Sequence, residues 1–431
     1  MPSSLSRSRF LSALSLAFSL LIPRAGICQA PGSAPAGAAA ASHGFAPERL
    51  ARIDTFLQAY VDSNRIAGAV ALVMRDGDVV YERAVGWADR EAQRRMTPGA
   101  MFRIASQSKA LTSVAIMMLV EQGRIALSDP VSRFIPAYAH TTVAVTADSV
   151  VPAKRPITIR NLLTHTSGIS YGTDAIVASR YSAVGLGPEA GYGWYTADKN
   201  EPICATMERL ASVPFVRQPG EAWVYGYSSD ILGCVVERAS GMTLDEFIHE
   251  RIARPLRMTD TYFYVPASSR ERLVAVYASD SIGHFSRAPE GPRGQGHYID
   301  GPRRSFSGGA GLVSTARDYG RFLQMLLNGG ELNGARILAP RTVQLMTTNQ
   351  VDTLFGGSGM GFGLGFSVVQ RVGADDTPSP VGTFGWGGAY GSTYRVDPAD
   401  HLVIVFMLNQ LPNRTDVAGK FPNLVYQALV R

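Results

Sequence analysis

Ser106-Gln107-Ser108-Lys109 places a hydroxyl and an amine three residues apart at the head of the longest apolar helical pattern in the chain. On a helix that spacing puts both side chains on one face, with Cβ atoms about 5–6 Å apart, so the amine can take the hydroxyl proton. A serine is a weak nucleophile until an adjacent base activates it. A lysine serves as that base only where burial and neighbouring charge favour the neutral amine. The chain holds four lysines (Lys109, Lys154, Lys199 and Lys420) among 41 basic residues. Arginine is excluded from the role because its pKa lies above about 12. The spacing alone also arises by chance, so the pair needs support from elsewhere in the chain.

Two other clusters hold candidate chemistry. The Pro219-Gly220 turn delivers Tyr225 to the start of the helical run at Asp230, where a phenol can relay a proton; among 17 tyrosines the alternative is a packing aromatic. Phe384-Gly385-Trp386-Gly387-Gly388-Ala389 lies at a strand edge. Its glycines let a backbone approach another group closely, so an edge amide there can act as an oxyanion donor; the alternative is a glycine-loosened turn. His165 is the residue a Ser-His-Asp arrangement would need. No metal centre is expected, since the seven histidines are scattered and no Cys/His group has ligand spacing.

The elements that must position these residues fall into three stretches. Residues 48–65 show helical spacing, and 67–74 and 79–85 read as strands joined at Arg75-Asp76-Gly77-Asp78, a hairpin signal. Residues 106–122 are apolar nearly all round, which predicts a buried central helix ended by Gly123. From about 129 to 308 short helical patterns (203–212, 230–240, 243–252) alternate with Gly/Pro/Tyr-rich loops. The loops at 181–202 and 281–308 are long, which usually marks a functional segment; both are expected to wall the pocket. Strand texture returns at 366–371, 381–386, 390–396 and 402–408, followed by a helix from Val417.

Residues 1–30 read as a secretory signal peptide, with Arg7 and Arg9 before an apolar run and a small-residue cleavage site after it. The run is too short for a good membrane span, and Ile27 before Cys28 argues against a lipid anchor. A periplasmic or secreted chain without stable membrane insertion is therefore expected. Residues 31–44 are a tether of small residues and proline. The formal net charge is +6, half of it from Arg7, Arg9 and Arg24. The rest is dispersed, so no nucleic-acid partner is expected. Cys204 and Cys234 are read as small buried hydrophobes in preference to a disulfide.

Ser-x-x-Lys, a tyrosine five residues after Pro-Gly, and Trp-Gly-Gly near the C-terminus, in that order, resemble the serine β-lactamase-like superfamily. The branch they resemble most is the family VIII carboxylesterases, relatives of class C β-lactamases and DD-peptidases. Arg160-Asn161-Leu162-Leu163-Thr164-His165-Thr166-Ser167-Gly168 and Gly308-Gly309-Ala310-Gly311-Leu312-Val313-Ser314-Thr315 support it, and the likeness spans about residues 45–431. It implies an α/β (α+β) fold in which an antiparallel sheet flanked by helices, built from 45–128 and 309–431, carries a mostly helical inserted domain at 129–308. It makes Ser106 the nucleophile, Lys109 its base and Tyr225 the proton shuttle. The oxyanion hole would be the N–H groups of Ser106 and Ala389. Trp386, Gly387, Gly388 and Tyr227 would meet the substrate, and no cofactor is implied. In this reading His165 belongs to a structural turn.

Two departures bear on the substrate. β-Lactamases of the superfamily usually have Tyr-x-Asn, where this chain has Tyr225-Gly226-Tyr227, and Lys-Thr-Gly, where it has Trp386-Gly387-Gly388. Losing that lysine and threonine removes a clamp for an anionic carboxylate and presents an indole. The expectation is a secreted serine hydrolase cleaving small uncharged esters, with weak activity on β-lactams. The alternatives are a β-lactamase or DD-peptidase, an acyltransferase, and a catalytically silent binding protein on the same fold.

Overall fold

Eight antiparallel strands form the main sheet of the computed structural model, which describes residues 40–187, 197–357 and 359–431. The signal peptide, most of the tether, and residues 188–196 of the 181–202 loop lie outside the described residues. The main-sheet strands in chain order are β1 (Gly68–Arg75), β2 (Asp78–Asp89), β3 (Arg94–Arg95), β4 (Met360–Phe362), β5 (Ser367–Val369), β6 (Phe384–Gly387), β7 (Thr393–Asp397) and β8 (Leu402–Met407). Their spatial order is β4-β5-β6-β7-β8-β1-β2-β3. The first and last parts of the sequence therefore share one sheet, joined where β1 pairs with β8 (Val70 opposite Met407, Leu72 opposite Val405). The predicted turn closes the β1–β2 hairpin, with Asp76 at φ 53° and Gly77 at φ 89°, as a two-residue turn matching strand twist requires.

The period-two alternation of β1 and β8 explains the layering. Ala69, Ala71, Val73, Leu402, Ile404 and Phe406 face a layer formed by helices α1 (Pro47–Asp62) and α10 (Val417–Tyr426). Val70, Leu72, Val403, Val405 and Met407 face the opposite way, into the larger core. That core holds α2 (Ser108–Glu121), in which every residue from Ser108 to Met117 is buried. The helix that sequence placed at 106–122 is α-helical from Ser108, and Ser106 occupies the 3₁₀ turn Ala105–Gln107 that leads into it.

The segment from 129 to 308 contributes α3 (Ile159–Leu163), α4 (Ala178–Ala183), α5 (Ile203–Leu210), α6 (Ser228–Ser240) and α7 (Leu244–Ile248). Its apolar residues run continuously into the core around α2. Two further helices follow, α8 (Ala316–Leu327) against the sheet and α9 (Pro340–Met346). Cys204 of α5 and Cys234 of α6 form a disulfide with Cα atoms 4.9 Å apart, correcting the reading of two separate thiols. The helices pack side by side at these positions, a juxtaposition that sequence separation does not reveal.

Candidate active site

The 3₁₀ turn carrying Ser106 is fixed from both sides. Asn409, just beyond β8, accepts from the Arg103 N–H at 3.2 Å and donates to the Arg103 carbonyl at 3.0 Å. Tyr319 of α8 donates to the Gln107 carbonyl at 2.9 Å. Ala105 adopts φ +44°, a region that non-glycine residues occupy at a cost of about 1–3 kcal/mol when the surroundings hold them there. Lys109 lies one turn on, buried, and its Nζ is 3.2 Å from Ser106 Oγ. The same nitrogen is 3.0 Å from the Tyr171 hydroxyl and 2.8 Å from the Gly309 carbonyl. A neutral amine has two N–H groups and one lone pair. Donating to Tyr171 and Gly309 leaves the lone pair for the Ser106 O–H.

Tyr225 stands beside this pair, with Lys109 Nζ 4.7 Å from its ring centroid. Its ring is enclosed by other aromatics, with centroids at 4.9 Å for His165, 5.7 Å for Trp223 and 5.5 Å for Trp386. Trp386 Nε1 donates to the Tyr225 hydroxyl at 3.1 Å. The tryptophan is thus a hydrogen-bond donor to the tyrosine as well as an apolar wall. Gly387 and Gly388 are half-buried beside it. A Cβ on Gly388 would stand 2.5 Å from the Ile104 carbonyl, so only glycine lets the end of β6 come this close to the turn bearing Ser106. Ala389 is exposed at the tip of the following turn, and among the described residues no protein acceptor takes its N–H.

Other residues depart from the expected arrangement. Tyr227 was expected to meet substrate, but it is completely buried and donates to the Leu186 carbonyl at 2.9 Å. It immediately precedes α6, its ring packed against the Tyr171 ring at 4.9 Å. His165 is buried beneath Tyr225 among Trp223 and Phe362. Burial, and then the charge of Lys109, push its pKa well below 6.5, so it is a neutral ring supporting the tyrosine. Three of the four arginines of the 281–308 loop have partners: Arg287 pairs with Asp89 and Glu290, Arg303 lies over the Tyr264 ring, and Arg304 donates to Asn200.

Sequence reading missed Tyr171 and Asp230. Tyr171 lies three residues beyond the stretch Arg160 to Gly168, inside Gly168-Ile169-Ser170-Tyr171-Gly172, which has the Gly-x-Ser-x-Gly form. This stretch is no hydrolase elbow. Ser170 is buried in irregular chain rather than between a strand and a helix, and its Oγ accepts the Gly172 N–H at 3.1 Å. Among the described residues no His/Cys/Asp/Glu group is arranged to hold a metal ion.

Comparison with known proteins bears on the fold and the family. Esterase EstB of Burkholderia gladioli is 35% identical over 372 residues, covering 83% of this chain and 90% of that protein. Among solved structures, EstCE1, described as a hydrolase with promiscuous acyltransferase activity, superposes with a TM-score of 0.74 at 29% identity, covering 89% of this chain and 99% of the other. Simvastatin synthase (LovD) from Aspergillus terreus, at 23% identity and a TM-score of 0.72 over 88% of this chain and 98% of its own, shares the fold. The family model described as Beta-lactamase matches residues 53–428, from α1 to the end of the closing helix. With sheet, helical segment and active-site turn all inside that match, the chain belongs to the β-lactamase family.

Proposed function

We propose that the chain is an exported serine hydrolase that cleaves short-chain carboxylic esters through an acyl-enzyme. The observation that carries this reading is Lys109 Nζ at 3.2 Å from Ser106 Oγ, held there by Tyr171 and Gly309. In the first step Lys109 takes the Ser106 proton and Oγ bonds to the ester carbonyl carbon. The resulting oxyanion is received by the N–H groups of Ser106 and Ala389. Each such preorganised donor is worth about 2.7–4 kcal/mol at the transition state. The C–O bond to the alcohol then breaks, and the alkoxide takes the Tyr225 hydroxyl proton, which Lys109 replaces. Water repeats the sequence in reverse to release the acid. Trp386 Nε1 donates to Tyr225 Oη, which leaves the phenol proton free to go to the leaving group.

The esterase name of a 35%-identical relative supports the substrate class, as does Trp386-Gly387-Gly388, which offers no cation to a substrate carboxylate. Burying that carboxylate unpaired would cost several kcal/mol. The disulfide fits export, since disulfides persist in oxidising compartments. The test is a side-by-side measurement of kcat/KM on a short-chain nitrophenyl ester and a chromogenic cephalosporin. The ester should be favoured by about 100-fold or more, equivalent to about 2.7 kcal/mol in transition-state binding; equal or reversed constants would make the chain a β-lactamase. The acyltransferase activity described for EstCE1, 29% identical, supports a second reading, in which an alcohol replaces water in the second step. Added short-chain alcohol should then give a new ester from the same acyl-enzyme.

A further inference from the structure

Gly308-Gly309-Ala310-Gly311 is left unexplained by the catalytic groups alone, and it surrounds a buried acid. Asp230, in the first turn of α6, is 0% exposed. Its Oδ1 accepts from Ser307 Oγ–H and, at 3.2 Å, from the Gly309 N–H. Its Oδ2 has no hydrogen-bond partner among the described residues. A Cβ on Gly309 would lie 2.4 Å from that oxygen, so a glycine is required for the loop to press against the carboxylate. Thr112 of α2 holds the preceding residue, donating to the Gly308 carbonyl at 2.9 Å. The same Gly309 whose N–H meets Asp230 offers its carbonyl to Lys109 Nζ at 2.8 Å.

A buried carboxylate with one oxygen unpartnered by protein is costly unless a charge compensates it. The groups that face Lys109 are Ser106 from the 3₁₀ turn, His165 and Tyr171 from the chain after α3, Tyr225 before α6, Asp230 on α6, and the Gly309 carbonyl. Asp230 is the one carboxylate among them. Its own proton affinity is raised by burial and lowered by Lys109, Ser307 and Gly309, so the acid and the amine sense each other across the loop.

We propose that Asp230 is a positioning residue for the Lys109 base. Through Ser307 and Gly309 it sets the carbonyl that aims the amine at Ser106, and its negative charge stabilises the ammonium that forms when Lys109 takes the Ser106 proton. The proposal rests on the Ser106–Lys109 reading of function.

The test is a pH–rate profile of the full chain on a short-chain nitrophenyl ester for Asp230→Asn, Ser307→Ala and Lys109→Ala. Asn keeps the shape but removes the charge and turns one acceptor into a donor. Asp230→Asn should lower kcat about tenfold or more with KM changed less than about threefold. The acid limb of kcat/KM should move to lower pH by about half a unit or more, because losing a neighbouring anion favours the uncharged amine. Ser307→Ala keeps the charge, so kcat should fall about three- to tenfold without that move. An Asp230→Asn protein that differs only in melting temperature overturns the proposal, as does a fall in kcat with the acid limb unmoved, which a purely structural role would give. If Asp230→Asn does not fold, Ser307→Ala decides: a kcat loss at constant KM supports the proposal and an unchanged kcat overturns it. Lys109→Ala separates the two levels. If it stays active, the Ser–Lys reading itself falls; if it is inactive while Asp230→Asn matches the parent, only the role of Asp230 falls.

Discussion

Lys109 makes three polar contacts, and two of them are what give the third its direction. Tyr171 and Gly309 take its N–H groups, so the lone pair has one place to go. A comparable division holds at Tyr225, where Trp386 supplies a donor to the phenol oxygen and frees its proton for the leaving group. Trp386→Phe keeps a ring in the wall and removes only that N–H. Its kcat/KM should drop about three- to thirtyfold, the worth of one hydrogen bond of about 0.5–2 kcal/mol, measured on a neutral ester. His165 gives a pH prediction. Its folded pKa lies well below 6.5, from burial and then Lys109, so below that value the unfolded chain binds a proton that the folded chain does not. The stability this group contributes is present above pH 6.5 and is lost as pH falls from there toward the folded pKa. Replacing it with Asn, which tolerates the φ of +54° at this position, removes the titration. Between pH 6.5 and 5.5 the parent should lose up to about 1 kcal/mol more than His165→Asn, read from urea midpoints. Equal losses would mean that the imidazole protonates freely when folded.

At the scale of elements, the central helix carries the site, and it was readable because apolar residues all round its surface leave burial as the sole option. The β1–β2 hairpin was readable from Asp76-Gly77, and the last strands from their β-branched runs. Ser106, Lys109, Tyr225 and Trp386 were recognisable from motif order, and the structure gathers them. Tyr227 was placed at the substrate by its motif position two residues after Tyr225, whereas its ring lies against Tyr171 in the core and its hydroxyl meets the Leu186 carbonyl. Tyr171 and Asp230 carry no spacing relation to Lys109: the first meets it directly and the second through the loop from 307 to 309, contacts made only in three dimensions. Helix α8 was passed over although Thr315 caps it, accepting from the Asp318 N–H at 3.2 Å, and its apolar residues repeat at helical spacing. The disulfide was missed for the reason that hides any long-range pair, since two cysteines reveal their distance only when α5 and α6 dock. Replacing both cysteines with alanine should lower the unfolding free energy by about 3–4 kcal/mol on the loop-entropy account. Urea unfolding of oxidised parent and variant checks this, and a difference under about 1 kcal/mol would place the stability elsewhere.

For the whole molecule, the two-sided sheet separates tasks. One face buries α1 and α10, which pack against each other; the other presents β6 to the turn bearing Ser106. The Ser106–Lys109 pair and strand β6 therefore come from distant parts of the sequence, and catalysis depends on the sheet joining β1 to β8. The central claim is that Ser106 is acylated because Lys109 removes its proton. Intact-mass measurement with peptide mapping tests it most directly, after rapid mixing with a nitrophenyl ester of a bulky, slowly hydrolysed acid. One acyl group should appear on the peptide containing Ser106 in the parent. In Lys109→Ala, with the fold intact by circular dichroism, acylation should be slower by about 1,000-fold or more. Acylation of a different residue, or of Ser106 at an undiminished rate without Lys109, would contradict the account.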